Sequence, residues 1–339
     1  MLTISDERQS MSYIAVIGAG SWGTTLASLL AEKGYDVSLW SFEKEIADEI
    51  NNHFTNSTYL PGAVLPQGLR ATNDLGSAVK KARYLLSVVP TQFTRSVFKE
   101  AVKYIQENAV IISASKGIEH GTLLTGSSIL NEISGNQSAV LSGPSFAKEV
   151  INKLPTAVTL ATNNPETGLL LQEIFNTAYF RVYTHSDILG VELGGALKNV
   201  IAIASGISDG LGLGHNARAA LITRGIAEMT RLGENMGADK RTFSGLSGIG
   251  DLVLTCTGAL SRNYSVGVKL GQGMKLSEIL ASTKSVAEGV ATALSAFELS
   301  QKFGVEMPIV EQVYKVIYKD KSPAEAVKVL MSRTLRAEF

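Results

Sequence analysis

The chain has a single cysteine in 339 residues, Cys256. No disulfide framework can form within one chain, which points to a reducing compartment and makes the cytoplasm the expected location. Cys256 follows the apolar, strand-like run Leu252-Val253-Leu254 and reads as a small buried hydrophobe rather than a nucleophile. Net charge is also missing: Lys+Arg and Asp+Glu each total 31. That balance argues against nucleic acid as the main partner and against a strongly basic membrane patch. It leaves room for a local basic pocket that takes a small anion. The four histidines, His53, His120, His185 and His215, do not pair at metal-ligand spacing, so no metal site is expected. The first ten residues hold Asp6, Glu7 and Arg8 without an apolar core, and are expected to be a tail and not a signal peptide. The most apolar long run, residues 188–207, contains Glu192 and Lys198. Each charge near the middle of a membrane span costs ~2.5–3.5 kcal/mol, so the run reads as a buried helix and no stable membrane insertion is expected.

What the chain does have is 45% hydrophobic and 18% charged residues, enough to bury real cores. Its length suggests two domains. It is also rich in glycine, and one glycine run stands out. Gly18-Ala19-Gly20-Ser21-Trp22-Gly23 follows the apolar stretch Tyr13-Ile14-Ala15-Val16-Ile17 directly. A strand that feeds such a run and then a helix forms a dinucleotide-phosphate cradle. Gly18 allows the tight turn, Gly20 lets the backbone approach a pyrophosphate, and Gly23 lets the helix pack closely on the strand. The helix N-terminus adds free N–H groups and a positive dipole end. With 32 glycines the pattern alone is weak. Its setting strengthens it: a helix over 22–33 with Leu26, Leu29 and Leu30 at helical spacing stops at Gly34, and an alternating strand over 36–40 follows. That is a βαβ unit of about the ~30 residues the motif requires.

The first half continues as alternating strands and helices. Helices are expected over 43–52, 74–82 and 93–106, and strands over 84–89, 109–113, 139–141, 157–160 and 180–183. Continuous apolar strands separated by helices indicate a parallel sheet covered on both faces. From about Asp187 the strand signal fades into Ala-, Leu- and Glu-rich sequence with glycine breaks, read as a mainly helical second domain. This gives a tail at 1–10, a dinucleotide-binding domain at 11–190 and a helical substrate domain at 191–339, with the helix around 191–205 as the hinge.

In open α/β sheets ligands bind at the carboxyl ends of strands. Three polar loops fall there: Pro90-Thr91-Gln92, Ser115-Lys116-Gly117 and Ser142-Gly143-Pro144-Ser145, where Ser145 is placed to N-cap a helix starting near Phe146. Lys116 is suited to meet a substrate anion or carbonyl, or is an ordinary solvated lysine. Lys198 is more telling, because lysines are seldom buried without a reason and its helix has few polar faces. Gly194 and Gly195 each weaken a helix by up to ~1 kcal/mol relative to Ala, which implies a close neighbour. Desolvation makes a lysine a usable general acid/base. The alternatives are a lysine that reaches the surface or pairs with Glu192. Asp251 is suited to orient a lysine or a substrate hydroxyl, or to N-cap a helix. Ser261-Arg262-Asn263 groups a guanidinium fork with two hydrogen-bonding side chains, which suits phosphate or carboxylate, or is a solvated loop.

These residues carry a resemblance. The chain resembles the bacterial NAD(P)-dependent glycerol-3-phosphate dehydrogenases from about Ile14 to about Arg333. The likeness runs through residues 16–24, Ser142-Gly143-Pro144-Ser145-Phe146-Ala147-Lys148-Glu149, and residues 194–203. It continues through residues 216–225, residues 250–257 with Ser261-Arg262-Asn263, and Phe303-Gly304-Val305-Glu306-Met307-Pro308. It implies a Rossmann-type doubly wound α/β sheet followed by a mainly α-helical domain, with the site in the cleft between. It implies Lys198 as the catalytic general acid/base and Lys116, Gly143, Ser145, Asp251, Ser261, Arg262 and Asn263 as substrate-site positions. Cofactor contacts are implied at Ser21, Trp22, Ala147, Arg262, Val286 and Glu288; Gly18, Gly20 and Gly23 are expected from the glycine motif itself, and Lys116 and Phe42 are expected beside them. The implied reaction interconverts sn-glycerol 3-phosphate and dihydroxyacetone phosphate with NAD or NADP, and its product feeds phospholipid synthesis.

One departure leaves the nucleotide open. Where family members often carry a basic or imidazole side chain suited to a 2′-phosphate, this chain has Ser41-Phe42-Glu43-Lys44. Phe42 is suited to stack on adenine, Glu43 to accept from a ribose 2′-hydroxyl, and Lys44 to rescue NADP. Two other functions stand beside the main one: a dehydrogenase of another hydroxy acid or sugar phosphate, and a nucleotide-sensing module without turnover, against which Lys116, Lys198 and Asp251 together speak. The oligomeric state is open, with a homodimer among the options.

Overall fold

A computed structural model describes residues 13–282, 287–335 and 337–338. The expected tail at residues 1–10 lies outside them. The chain divides into two compact units. The first holds the described residues up to Lys116 and Leu124–Glu192; the second holds Gly117–Leu123 and the described residues from Leu193 onward.

The first unit alternates strands and helices: β1 (Tyr13–Ile17), α1 (Ser21–Glu32), β2 (Asp36–Trp40), α2 (Lys44–His53), β3 (Arg70–Thr72), α3 (Leu75–Val79), β4 (Tyr84–Ser87), α4 (Thr91–Ala101), β5 (Val110–Ser113), α5 (Gly126–Ser134), β6 (Ser138–Ser142), α6 (Ala147–Ile151), β7 (Thr156–Ala161), α7 (Pro165–Phe175) and β8 (Phe180–His185). The eight strands form one sheet in the order β3-β2-β1-β4-β5-β6-β7-β8. Successive residues of β1 bury on opposite faces. Ile14 and Val16 join Leu26 and Leu30 of α1 and Phe175 of α7, whereas Ala15 and Ile17 join Val79 of α3, Phe98 of α4 and Leu130 of α5. A sheet covered on both faces needs strands that are apolar throughout, which is how β1, β4 and β5 read.

Two features differ from the sequence expectation. The three-residue β3 was not foreseen, being too short to show a period. The sheet is also not wholly parallel, because β7 pairs antiparallel with β6 and parallel with β8. The connection explains the reversal. The five residues of α6 advance only about 7 Å, against about 16 Å for the five-residue β6. A helix that short does not carry the chain back to the start of the strand, so β7 returns in the opposite sense.

The second unit is built from helices: α8 (Ile188–Gly210), which begins in the first unit and continues into the second, then α9 (Gly214–Asn235), α10 (Asp251–Thr257), α11 (Arg262–Gly271), α12 (Leu276–Ala281), α13 (Glu288–Phe303), α14 (Pro308–Tyr318) and α15 (Pro323–Met331). The most apolar window of α8 is 89% buried, so the helix acts as a core element. The run Leu252-Val253-Leu254, strand-like in sequence, is helical and lies in α10.

Where α8 passes α11, backbones meet without side chains between them. A Cβ on Gly206 would stand 2.1 Å from the Tyr264 carbonyl oxygen, and one on Gly210 would stand 2.3 Å from that of Val268. On the facing helix, Gly267 and Gly271 are as tightly opposed. Gly194 of α8 is explained in the same way, since its Cβ would lie 2.4 Å from the Ser247 carbonyl oxygen.

Candidate active site

Each unit gathers its own set of functional side chains. In the first, the loop after β1 turns at Gly18, whose φ of 116° favours glycine and whose Cβ would meet the Val88 carbonyl oxygen at 2.9 Å. Gly23, inside α1, faces the Gly18 carbonyl oxygen so closely that a Cβ would stand 1.8 Å from it. Gly20 is different: among the described residues nothing lies within 4 Å of its Cβ position. It N-caps α1 in an extended conformation without a side-chain cap, and no acidic residue occupies the first turn, which starts at Ser21. An open glycine at an uncapped helix N-terminus, with its neighbours closed by backbone, is a cradle that fits a pyrophosphate.

The loop is braced from below. Asn56, fully buried, donates to the Ala19 carbonyl at 2.9 Å and to the Thr24 hydroxyl at 2.9 Å. Asn56 was missed in the sequence, since nothing in its local pattern separates it from a loop asparagine. Trp22 tilts against Phe180 with ring centroids 6.3 Å apart. Ala147 opens α6, and its carbonyl accepts from Thr25 of α1 at 3.4 Å. Phe42 is 81% exposed just past β2.

At the strand-end rim, Lys116 Nζ donates to the Gly143 carbonyl at 2.8 Å, and so does the Ser145 hydroxyl at 3.0 Å. Lys116, Gly143 and Ser145 are therefore brought together. Ser145 is not the helix cap expected of it. Phe146 takes the cap position of α6, while the Ser145 hydroxyl is turned back onto Gly143.

In the second unit, Lys198 projects from α8 to Asp251. Its Nζ donates to Asp251 Oδ1 at 2.6 Å and to the Thr255 hydroxyl at 2.7 Å. The side chains of Lys198 and Asp251 are 8% and 1% exposed. Thr255, one turn further along α10, donates in its turn to the Asp251 carbonyl at 2.6 Å. Asp251 is the first residue of α10 and follows a π-helical turn, Leu246–Gly250, of the kind often found at functional sites. It is therefore a partner for Lys198 and not a helix cap; Gly250 holds the cap position. Glu192, the alternative partner, is occupied elsewhere: it accepts from the backbone N–H of Ser127 at 2.7 Å and from its hydroxyl at 2.6 Å. Thr255 was missed because its role depends on the helical i−4 spacing to Asp251, and the run between them is strand-like in sequence. Cys256 beside it is buried, and burial pushes its thiol up to about 12.

Ser261, Arg262 and Asn263 open α11 and are not a solvated loop. The Ser261 hydroxyl caps the helix by accepting from the Tyr264 N–H at 3.2 Å. Asn263 is buried, donating to Asn199 Oδ1 at 2.9 Å and accepting from the Gly289 N–H at 2.9 Å. That second bond ties α11 to the start of α13, where Glu288 stands. Arg262 is the exposed member of the three, with Glu288 the opposite charge acting on it. Val286 lies outside the described residues.

The pattern of residues is found in known proteins. The family model described as NAD-dependent glycerol-3-phosphate dehydrogenase N-terminus matches residues 13–168, and its C-terminal counterpart matches residues 187–328. A glycerol-3-phosphate dehydrogenase [NAD(P)+] of Geobacter sp. (strain M21) is 57% identical over 329 residues, covering 96% of this chain and 98% of that one. Among solved structures, the glycerol-3-phosphate dehydrogenase of Coxiella burnetii superposes with a TM-score of 0.92 at 42% identity, covering 95% of this chain and 99% of its own. That of the yeast Saccharomyces cerevisiae gives 0.81 at 30% identity, covering 94% and 99%.

Proposed function

We propose residue roles from one premise: this chain belongs to the NAD-dependent glycerol-3-phosphate dehydrogenase family. It is an oxidoreductase that interconverts sn-glycerol 3-phosphate and dihydroxyacetone phosphate with NAD(P)(H). The observation that carries the roles is the buried Lys198–Asp251 pair. Taking two charges out of water costs several kcal/mol per ion, and such a pair is weak evidence for stability. A catalytic duty accounts for it better.

The nucleotide is held at Gly18, Gly20, Ser21, Trp22 and Gly23, with Phe42 against adenine; its nicotinamide, when bound, supplies or takes the hydride at substrate C2. In reduction, Lys198 gives the proton from Nζ to the C2 oxygen, and in oxidation it takes that proton back. Asp251 and Thr255 hold Nζ in place and keep a hydrogen-bonding acceptor on it in both protonation states. Lys116 binds the substrate oxygen, with Gly143 and Ser145 setting its direction. Arg262 takes the substrate phosphate, for which its planar donor fork is suited, and Ser261 and Asn263 fix the start of the helix that carries it. Glu288, Ala147 and Val286 complete the cofactor contacts. The single cysteine supports a cytoplasmic setting, and the family membership supports a product directed to phospholipid synthesis.

Lys198→Ala tests the assignment. Turnover with dihydroxyacetone phosphate is expected to fall at least ~100-fold while NADH fluorescence on binding is retained. Near-normal turnover sinks the role. Arg262→Ala is expected to act mainly on the substrate KM, and an unchanged KM places Arg262 elsewhere.

A further inference from the structure

The sequence leaves NAD and NADP undecided, and the end of β2 bears on the choice. The Gly18 N–H donates to the Trp40 carbonyl at 3.0 Å, so the last residue of β2 is bonded directly to the first glycine of the cradle. In this fold the adenosine ribose of a dinucleotide reaches the carboxyl end of the second strand. There Ser41 is buried and Phe42 exposed. Glu43 follows at the cap position of α2, extended at φ −83° and ψ 123°, yet its side chain does not cap the helix. It accepts instead from the Tyr59 hydroxyl, which reaches Oε1 at 2.7 Å.

That bond has two consequences. The Glu43 carboxylate and burial together push the Tyr59 phenol up to about 12, so Tyr59 remains a donor throughout the neutral range. Fixed at Oε1, the carboxylate loses less freedom when Oε2 meets a ligand. Among the described residues no other hydrogen bond reaches the Glu43 side chain. Glu45 adds a second carboxylate in the first turn of α2. Lys44 is exposed and is the only cationic residue between positions 41 and 52.

We propose that Glu43, oriented by Tyr59, selects NAD(H) over NADP(H). Its free carboxylate oxygen accepts from the ribose hydroxyls of NAD. A 2′-phosphate, which carries about −1.5 to −2 charges at neutral pH, meets like charge at the same place. The proposal rests on the dehydrogenase reading above.

The test is kcat/KM for NADH and for NADPH at saturating dihydroxyacetone phosphate, in the unaltered enzyme and in Glu43→Gln, Tyr59→Phe and Lys44→Ala. The unaltered enzyme is expected to favour NADH by at least ~10-fold, since like charges at close range repel even in a wet site. Glu43→Gln is expected to narrow that ratio by at least ~5-fold, chiefly through a lower KM for NADPH. Tyr59→Phe raises the KM for NADH and leaves kcat and the NADPH constants in place, a split that general loss of structure does not produce. Equal use of the two nucleotides by the unaltered enzyme overturns the proposal, and so does a ratio unmoved by Glu43→Gln. Selective loss of NADPH turnover in Lys44→Ala, with Glu43→Gln silent, transfers the choice to Lys44. No turnover with either nucleotide refutes the dehydrogenase reading itself.

Discussion

Gly206→Ala adds one methyl group where α8 crosses α11. The new Cβ would lie 2.1 Å from the Tyr264 carbonyl oxygen, 2.8 Å from the Val268 nitrogen and 2.9 Å from the Gly267 Cα. All three are backbone atoms, so no side chain can rotate out of the way. Restoring an ordinary contact requires α11 to retreat by about 1 Å, at an overpacking cost near the upper end of ~1–3 kcal/mol. For a chain of 339 residues, whose unfolding entropy is about 0.7 kcal/mol/K, that corresponds to a fall in Tm of roughly 4 °C. The functional effect is larger. Two turns before Gly206, α8 carries Lys198 and Asn199, while α11 starts with Arg262 and Asn263, and the Asn199–Asn263 bond spans the two helices at 2.9 Å. A misplacement of 1 Å in a catalytic constellation costs about 100-fold. The assay is kcat/KM for dihydroxyacetone phosphate beside a thermal melt, with NADH binding as the control because the cradle belongs to the other unit. Gly68→Ala, whose Cβ meets nothing within 4 Å among the described residues, controls for added side-chain bulk. A Gly206→Ala enzyme within ~1 °C and ~3-fold of the unaltered one refutes both the packing argument and the link from the crossing to the site.

Other outcomes follow from single sites. Gly20→Ala is expected to keep its Tm and raise the KM for both nucleotides, because no described residue lies within 4 Å of the space its Cβ enters, whereas Gly23→Ala, with a Cβ 1.8 Å from the Gly18 carbonyl oxygen, lowers the Tm as well. Cys256, with its thiol pushed up to about 12, is expected to resist iodoacetamide at pH 8 in the native enzyme and to react on unfolding, read by mass spectrometry. Glu228 caps α14 by accepting from the N–H groups of Ile309 and Val310, and burial raises its carboxyl from 4.5 to about 7. The folded state therefore holds this proton more tightly than the unfolded one. The stability it contributes is complete below pH 4.5 and is lost as pH rises through 7, by up to about 3 kcal/mol. Denaturant midpoints at pH 5.5 and 8 are expected to differ less in Glu228→Gln than in the unaltered enzyme, and equal differences refute the assignment.

The fold was legible where periodicity is strong. The strand at Tyr13-Ile14-Ala15-Val16-Ile17, the helix with Leu26, Leu29 and Leu30, and the glycine break at Gly34 define β1 and α1 from local pattern alone. The reversal at β7 was not legible, because strand direction is set by whether the connecting helix is long enough to carry the chain back. The Leu252-Val253-Leu254 run was misread for a related reason: a short apolar stretch fits a strand or a buried helix equally well, and here Asp251 and Thr255 show the helical spacing only when seen with Lys198.

Legibility of the site follows the same division between local and distant causes. Gly18, Gly20 and Gly23 were readable because their chemistry is a property of backbone, and backbone demands leave glycine in the sequence whatever the surroundings. Lys198 was readable as an anomaly, a lysine in an apolar helix, and Asp251 as a residue suited to orient a lysine, but the choice between partners was not: Glu192, six residues away, was nearer in sequence, and Asp251, 53 residues on, is the one in contact. Asn56 and Tyr59 were not readable at all. Each acts by orienting another group, Asn56 the Ala19 carbonyl and Tyr59 the Glu43 carboxylate, and such residues carry no local signal because their type is dictated by an atom that only folding brings near. The reacting groups therefore announce themselves by breaking a local rule, whereas the groups that hold them in place obey local rules and appear only in three dimensions. Variants at Asn56 and Tyr59 measure the second class directly, since a supporting group alters the binding constant of the site it orients and leaves the identity of the reacting atoms unchanged.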